Sequence, residues 1–317
     1  MRKILITGAA GQIGSELTLF LREKYGNDNV IAAGHKKKPN EEVLHSGPFE
    51  FIEVVKAKEV ANVVKKYNIG TIYHLAAILS AAGEKNPQLA WEVNMIGLYN
   101  VLEVAREYRC AVFVPSSIAA FGPQTPKDNT PQDTIQRPTS MYGVTKVAGE
   151  LLADYYFLKF GVDTRGLRYP GLISYVTPPG GGTTDYAVEI FYEAIEKKEY
   201  TCFLKEDTML DMMYMPDALE AAVKLMEADP SKLKHRNAFN VTAFSFTPKE
   251  LAEKIKKYIP DFKMKYNVDP VRQAIADSWP NHMDDSAARE EWGWKPKYDL
   301  DGMTKDMIEK LKIKLKK

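Results

Sequence analysis

The sequence predicts an α/β fold, a doubly wound parallel sheet followed by a smaller C-terminal α/β region. Three observations on the 317 residues carry this reading. Short apolar runs alternate with longer helical patterns over the first half of the chain, and such alternation packs crossover helices on both faces of a parallel sheet. Three glycines at every third position follow the first apolar run. After Arg168-Tyr169-Pro170 the alternation changes character.

Lys3-Ile4-Leu5-Ile6-Thr7 reads as a buried strand that flows into Gly8, not as a signal peptide, and residues 12–25 read as the helix that follows. Val30-Ile31-Ala32-Ala33 and residues 49–54 are the next strands, with a helix over about 57–67 behind the second. Residues 71–75 and 111–115 are further strands, and helical stretches at about 87–108 and 139–160 flank the latter. Pro178-Pro179-Gly180-Gly181-Gly182 is a turn-rich segment. Beyond it lie helices near 184–197, 216–228, 248–258 and 300–314, and a strand at Phe239-Asn240-Val241. Thr247-Pro248-Lys249-Glu250 starts one of these helices, with Thr as cap and Pro in the first turn. The predicted domains are residues 1–170 and 171–317, with the strand near 239–241 able to return to the first sheet.

Hydrophobic residues make up 45% of the chain and charged residues 27%, the balance of an ordinary soluble globular protein. A net charge of +1 gives no electrostatic basis for nucleic acid or acidic membranes as partners. The basic run over residues 310–317 reads as a solvated helix end. No apolar stretch approaches the roughly 20 residues that a membrane span needs. Cys110 and Cys202 lack metal-ligand spacing and read as reduced core thiols of an intracellular protein, in the cytoplasm or equally in the mitochondrial matrix. The histidines His35, His45, His74, His235 and His282 are scattered, so no metal site is expected.

Gly8, Gly11 and Gly14 stand between a strand and a helix. The first permits the tight turn, the second lets backbone approach a pyrophosphate, and the third lets helix pack on strand. The helix start at Gln12 and Ile13 then faces the phosphates with free N–H groups, as in a Rossmann-type dinucleotide fold. Such folds usually carry an acid after the second strand to bind the adenosine ribose. Here Ala33-Gly34-His35-Lys36-Lys37-Lys38 fills that place, with no carboxylate at Gly34. Two readings stand side by side. The lysines and His35 meet a 2′-phosphate, which favours NADP; or they form a solvated loop, and backbone groups or a carboxylate elsewhere hold the ribose of NAD. Glu53, at the end of the third strand, is placed to help seat the adenine.

Tyr142 and Lys146 are four apart in a helical stretch, so their side chains share one face. An ammonium beside a phenol favours the phenolate and lowers its pKa from about 10, which suits a general base for an alcohol. Ser117, at the end of a strand closing in Pro115-Ser116-Ser117, can hydrogen-bond the same substrate oxygen. Asn94, inside the helix that begins near Asn86-Pro87, either bridges toward Lys146 or lies exposed.

Together Gly-x-x-Gly-x-x-Gly, Leu75-Ala76-Ala77 after a strand, Ser117 and Tyr142-x-x-x-Lys146 resemble the extended short-chain dehydrogenase/reductase superfamily. Residues 77–83, 168–174, 180–187, 212–218, 276–280, 284–286 and 292–294 bring the chain closest, within it, to the epimerase-like L-threonine 3-dehydrogenases, and they span nearly its whole length. The resemblance implies oxidation of L-threonine at C3 to 2-amino-3-oxobutyrate, with hydride passing to NAD. Tyr142 takes the hydroxyl proton, Lys146 depresses the tyrosine pKa and holds the nicotinamide ribose, and Ser117 orients the hydroxyl. It places Gly8, Gly11, Gln12, Ile13, Gly14, His35, Lys36, Glu53, Leu75, Ala76, Ala77, Asn94, Ser116 and Tyr169 around the dinucleotide, besides Tyr142 and Lys146. Ser80, Thr183, Thr184 and Asp185 hold the ends of the amino acid, and Trp279 either closes the pocket or packs in the core. The family usually has Asp where this chain has Gly34, which weakens the carried-over preference for NAD. The superfamily commonly pairs its two long helices across a two-fold axis, which implies a homodimer through residues 87–108 and 139–160.

A nucleotide-sugar epimerase or dehydratase of the same superfamily would use the same tyrosine. A dehydratase would want an acidic pair beside Ser117, where this chain has Ile118-Ala119-Ala120. A non-catalytic dinucleotide sensor would be expected to lose Tyr142 or Lys146, and both are present.

Overall fold

The computed structural model of the chain describes residues 2–178 and 182–316. Met1, the residues Pro179, Gly180 and Gly181 of the turn-rich segment, and Lys317 of the basic run lie outside the described residues. In chain order the strands are β1 (Lys3–Thr7), β2 (Val30–Gly34), β3 (Phe49–Phe51), β4 (Ile69–His74), β5 (Ala111–Phe113), β6 (Ser116–Ser117), β7 (Thr164–Arg165), β8 (Leu167–Tyr169), β9 (Gly171–Ile173), β10 (Glu199–Cys202), β11 (Leu210–Tyr214), β12 (Phe239–Asn240), β13 (Phe244–Phe246) and β14 (Lys263–Tyr266). The helices are α1 (Gln12–Tyr25), α2 (Glu41–His45), α3 (Ala57–Tyr67), α4 (Ser80–Lys85), α5 (Pro87–Trp91), α6 (Gly97–Tyr108), α7 (Met141–Phe160), α8 (Tyr186–Glu196), α9 (Met215–Glu227), α10 (Pro248–Lys256), α11 (Pro270–Ala276), α12 (Ser286–Trp292) and α13 (Leu300–Lys314).

These elements fall into two units. One comprises the described residues up to Ala120, with Thr139–Arg168 and Leu219–Phe239; the other comprises Phe121–Pro138, Tyr169–Ala218 and the described residues from Asn240 onward. The first unit is a Rossmann-type layer. Its sheet runs β3-β2-β1-β4-β5-β7, and the pairings are all parallel. The strand order reverses between β1 and β4, which opens a crevice at their carboxyl ends where sheets of this kind bind ligands. Past short breaks at Val114-Pro115 and Gly166 the chain continues into β6 and β8, and β12 joins them in the order β12-β8-β6. Gly166 donates to the Arg236 carbonyl at 3.0 Å and accepts from Phe239 at 2.9 Å, so the strand expected near 239–241 stands beside β8.

Helix faces follow the apolar spacing. Leu17 and Leu21 of α1, Val60, Val63 and Val64 of α3, and Leu98, Val101, Leu102 and Ala105 of α6 are buried. With Leu5, Ile31, Ile72 and Val112 from the strands, the α3 and α6 residues form one core cluster. Fully burying each such aliphatic side chain contributes about 1.5–3 kcal/mol. Ser140 caps α7 by accepting from Gly143 N at 3.1 Å.

Two expected elements differ. The helix over 87–108 is continuous as expected but not regular: Asn86 caps it at α5, a π-helical turn spans Glu92–Ile96, and α6 follows. The wide turn carries Asn94, which is buried and fully engaged. The strand over 49–54 ends at Phe51, because Glu53 N takes the Glu59 side chain at 2.8 Å in place of a ladder partner.

In the second unit β11 pairs antiparallel with β13 and parallel with β9, and β10 pairs parallel with β14. Tyr186 packs edge-on against Phe203 and Phe246 in its core. Thr247 and Glu250 form the full capping box of α10, with Pro248 in the first turn. The basic run is the end of α13, whose Lys310, Lys312 and Lys314 are exposed. Cys110 and Cys202 are buried thiols. Among the described residues, no helix is long and apolar enough to cross a membrane.

Candidate active site

The glycine turn after β1 is built for close approach. Gly8 sits at φ +74°, and a Cβ there would stand 2.7 Å from the Leu75-Ala76 backbone after β4. A Cβ at Gly14 would run into the Gly8 carbonyl oxygen, so only glycine lets α1 pack against the turn. Gly11 is the N-cap of α1. No side chain caps that helix and no acid lies in its first turn, which leaves the amide groups around Gln12 and Ile13 turned to the crevice. An open cavity of about 740 Å³ begins here, lined by Gly8, Gly11, Gly34, His35, Glu53 and Leu75-Ala76-Ala77, among others. A dinucleotide fits this donor set: glycine backbone and a bare helix N-terminus for the pyrophosphate, and polar groups at the ends of β2 and β3 for the adenosine.

Lys36, Lys37 and Lys38 are exposed, and His35 Nε2 is paired with the Glu53 carboxylate. Glu53, just after β3, stands on the wall of the same cavity as Gly34 and His35.

Ser117, Tyr142 and Lys146 are brought together on α7 and β6. Ser117, whose hydroxyl accepts from Ala119 N at 3.2 Å, stands close enough to the Tyr142 phenol to favour its phenolate. Lys146 Nζ lies 5.3 Å from the centre of the Tyr142 ring and donates to the Pro115 carbonyl at 2.6 Å. The expected lowering of the Tyr142 pKa by Lys146 is not found in the protein alone. Burial pushes the phenol up to about 12, because desolvation of the phenolate outweighs the pull of Ser117 in the other direction. Burial likewise draws Lys146 down to about 8, opposed by Glu150.

Asn94 is buried and bridges. It accepts from Ile78 N at 2.7 Å, donates to Ile78 O at 3.1 Å and donates to Thr145 Oγ1 at 3.1 Å, next in sequence to Lys146. It thereby ties the strip 75–78 to α7. Ser80 opens α4, which packs on α7.

Sequence reasoning named Ser116 but missed Glu150, Arg168 and His74. Ser116 donates to the Glu150 carboxylate, which Arg168 grips through Nε at 3.1 Å and Nη2 at 2.9 Å, all of them buried. Glu150 falls one helical turn after Lys146, and that spacing is the signal by which it could have been found. His74, at the end of β4, shares a hydrogen bond of 2.9 Å with Thr7 Oγ1 and is held neutral, its pKa pushed down to about 3 by burial and then by Lys146.

The remaining candidates lie in the second unit. Tyr169 is buried, its hydroxyl donates to the Ala218 carbonyl at 2.8 Å, and it lines neither the cavity described above nor the one beside Lys146. Thr183 is buried, and Thr184 lies against Gly171 of β9. Asp185 accepts from Gly182 N at 2.7 Å and caps the approach to α8. Trp279 is buried after α11.

This fold and site define a class, and the profile of the NAD dependent epimerase/dehydratase family matches residues 4–242. The chain belongs to that family. An uncharacterized epimerase/dehydratase of Staphylococcus saprophyticus is 56% identical over 316 residues, covering 100% of this chain and 99% of its own. An L-threonine dehydrogenase structure from Clostridium difficile is 62% identical, with a TM-score of 0.98 over 99% of this chain and 98% of that one. A GalE-like L-threonine dehydrogenase from Cupriavidus necator, in its holo form, is 51% identical, with a TM-score of 0.95 over 98% of this chain and 99% of that one.

Proposed function

We propose that this protein is an L-threonine 3-dehydrogenase that oxidises L-threonine at C3 to 2-amino-3-oxobutyrate with NAD. The observation that carries the reading is the near-complete superposition on L-threonine dehydrogenases at 62% identity, joined to a Ser117–Tyr142–Lys146 cluster at the crevice of a dinucleotide fold.

When bound, the oxidised nicotinamide supplies the acceptor for the hydrogen and electron pair of the C3–H bond, and a positive charge beside Tyr142. Tyr142 takes the proton of the C3 hydroxyl at its phenolic oxygen, so that the carbon–oxygen bond becomes a carbonyl. Ser117 holds that hydroxyl in line with the phenol. The Lys146 ammonium adds positive charge near the phenol ring and is fixed by Pro115, which leaves donors for the nicotinamide ribose. Gly8, Gly11, Gln12, Ile13 and Gly14 bind the pyrophosphate, while His35, Lys36 and Glu53 border the adenosine. Leu75, Ala76, Ala77, Asn94 and Ser116 shape the nicotinamide side, and Tyr169 supports it from β8. Ser80, Thr183, Thr184 and Asp185 bind the ends of the amino acid, and Trp279 closes over it. Glu53, a negative group on the cavity wall, favours NAD by disfavouring a 2′-phosphate. We assign the first unit, which holds most of residues 1–170, to the dinucleotide and the second, which holds most of 171–317, to the substrate, in a cytoplasmic homodimer. Val144, Leu151, Tyr155 and Leu158 present one exposed apolar face on α7, which supports that dimer.

The test is reduction of NAD and of NADP, followed at the nicotinamide absorbance, with L-threonine and separately with UDP-sugars. Threonine-dependent reduction is expected, with NAD preferred. Turnover of a UDP-sugar and none of threonine would transfer the site to a nucleotide-sugar epimerase or dehydratase, a reading compatible with the relative's name of epimerase/dehydratase.

A further inference from the structure

We infer that Glu150 is a positioning residue for the Tyr142–Lys146 pair: it clips their helix to the strand that carries Ser117 and supplies the counter-charge that keeps the Lys146 ammonium protonated. The inference rests on the dehydrogenase reading above. Glu150 lies one turn beyond Lys146 on α7, and both line one cavity with His74, Ser116 and Asn237. Its carboxylate receives the hydroxyl of Ser116, the residue beside Ser117, and the guanidinium of Arg168 on β8. Ser116, Glu150 and Arg168 are 5%, 7% and 6% exposed, so the charges are out of reach of bulk screening. A buried ion pair is weak evidence for stability by itself. This one joins α7 to β6 and β8 one turn beyond the lysine and beside the strand of Ser117, so its geometry bears on how that helix sits on that strand.

The titratable and charged groups around Lys146 are few. On its own helix stand Tyr142 and Glu150; His74 comes from β4 and is neutral; Arg168 of β8 meets Glu150. Glu84 of α4 holds Met141 N, and Glu103 of α6 holds the Tyr156 hydroxyl, near the two ends of α7. Burial lowers Lys146 to about 8, and Glu150 is the group that opposes it. Without that carboxylate the ammonium would lose the charge that opposes its burial, lose its proton at lower pH, and withdraw positive charge from the phenol.

The test titrates Lys146 in the ligand-free enzyme by carbon NMR of lysine labelled at Cε, assigned with Lys146→Arg. We expect the midpoint to fall by about one pH unit in Glu150→Gln and to hold in Glu150→Asp, which keeps the charge. In parallel, turnover of threonine by Glu150→Gln should fall about twofold at pH 7 and about fivefold at pH 8, and approach wild type near pH 6, where both enzymes carry charged lysine. An unmoved Lys146 midpoint in folded Glu150→Gln overturns the inference. If that variant does not fold, Ser116→Ala decides, since it leaves the ion pair whole. A several-fold lower kcat with unchanged KM for NAD supports the clip, and wild-type kcat overturns it. A wild-type enzyme that oxidises no threonine overturns the functional reading alone, because the NMR midpoint needs no substrate.

Discussion

Asn94 donates to the Thr145 hydroxyl over 3.1 Å, and the same carboxamide accepts from and donates to the backbone of Ile78. One side chain thus joins a π-helical turn, the strip after β4 and the helix of Tyr142 and Lys146. Asn94→Ala should loosen the strip where it borders the cofactor cavity. We expect the Kd for NADH, measured by nucleotide fluorescence, to rise about tenfold, and stability to fall by about 1–3 kcal/mol. Wild-type affinity would show that the strip keeps its shape unaided.

Tyr142→Phe removes the proton acceptor and leaves the ring. Turnover should drop by about 10²–10⁴-fold while NADH binding stays within about twofold. Turnover near that of wild type would end the assignment of Tyr142 as base.

Gly34→Asp should raise the ratio of kcat/KM with NAD to that with NADP by about tenfold, through repulsion of a 2′-phosphate. A Cβ at Gly34 would stand 2.9 Å from the Lys37 carbonyl, so the turn must shift. Gly34→Ala separates that steric cost from the charge. An equal ratio in both variants would show that the end of β2 does not read the ribose.

Asp211 is buried, accepts from Met283 N at 2.9 Å, and meets the Thr242 hydroxyl. Burial pushes its carboxyl up to about 8. Its unfolded pKa is about 3.9, so the folded state binds the extra proton between these values, and stability falls as pH rises from about 4 through about 8. Asp211→Asn keeps the shape and removes the charge. Its Tm should fall less than that of wild type between pH 6 and pH 9; parallel slopes for the two proteins would contradict this.

The exposed face of α7 is strongest at Leu151 and Leu158, 64% and 80% exposed. If it seats a second copy, the wild type should elute with light-scattering mass near twice 35.8 kDa, and Leu151→Lys/Leu158→Lys near one chain. A wild-type monomer would remove the dimer from the proposal.

What the sequence reveals depends on how local the physics is. The glycine turn and the Tyr142–Lys146 spacing are visible because a tight turn and one helical repeat set them over seven and five residues. The β1–α1–β2 succession is visible because its apolar runs are short and uninterrupted. Glu150 and Arg168 meet 18 residues apart, and Thr7 and His74 67 apart, across strands whose order no local pattern records. The rise of the Tyr142 pKa is equally hidden, because desolvation belongs to the packed surroundings of a phenol and not to its neighbours in the chain. The same holds for Glu53, whose approach to His35 depends on β3 lying beside β2.

Leu219–Phe239 returns to the first unit after the chain has passed through Tyr169–Ala218. There Arg165 binds the carbonyls of Leu225 and Ala228, at 2.7 and 2.8 Å, and Asn237 binds Asp154 at 2.7 Å. During synthesis the nucleotide-fold sheet therefore waits, with its β8 edge unpaired, until Phe239 clears the ribosome. A nascent chain stalled in that interval would present an open strand edge to chaperones and proteases, so the protein's passage through quality control is set by a late segment far in sequence from any residue of its chemistry.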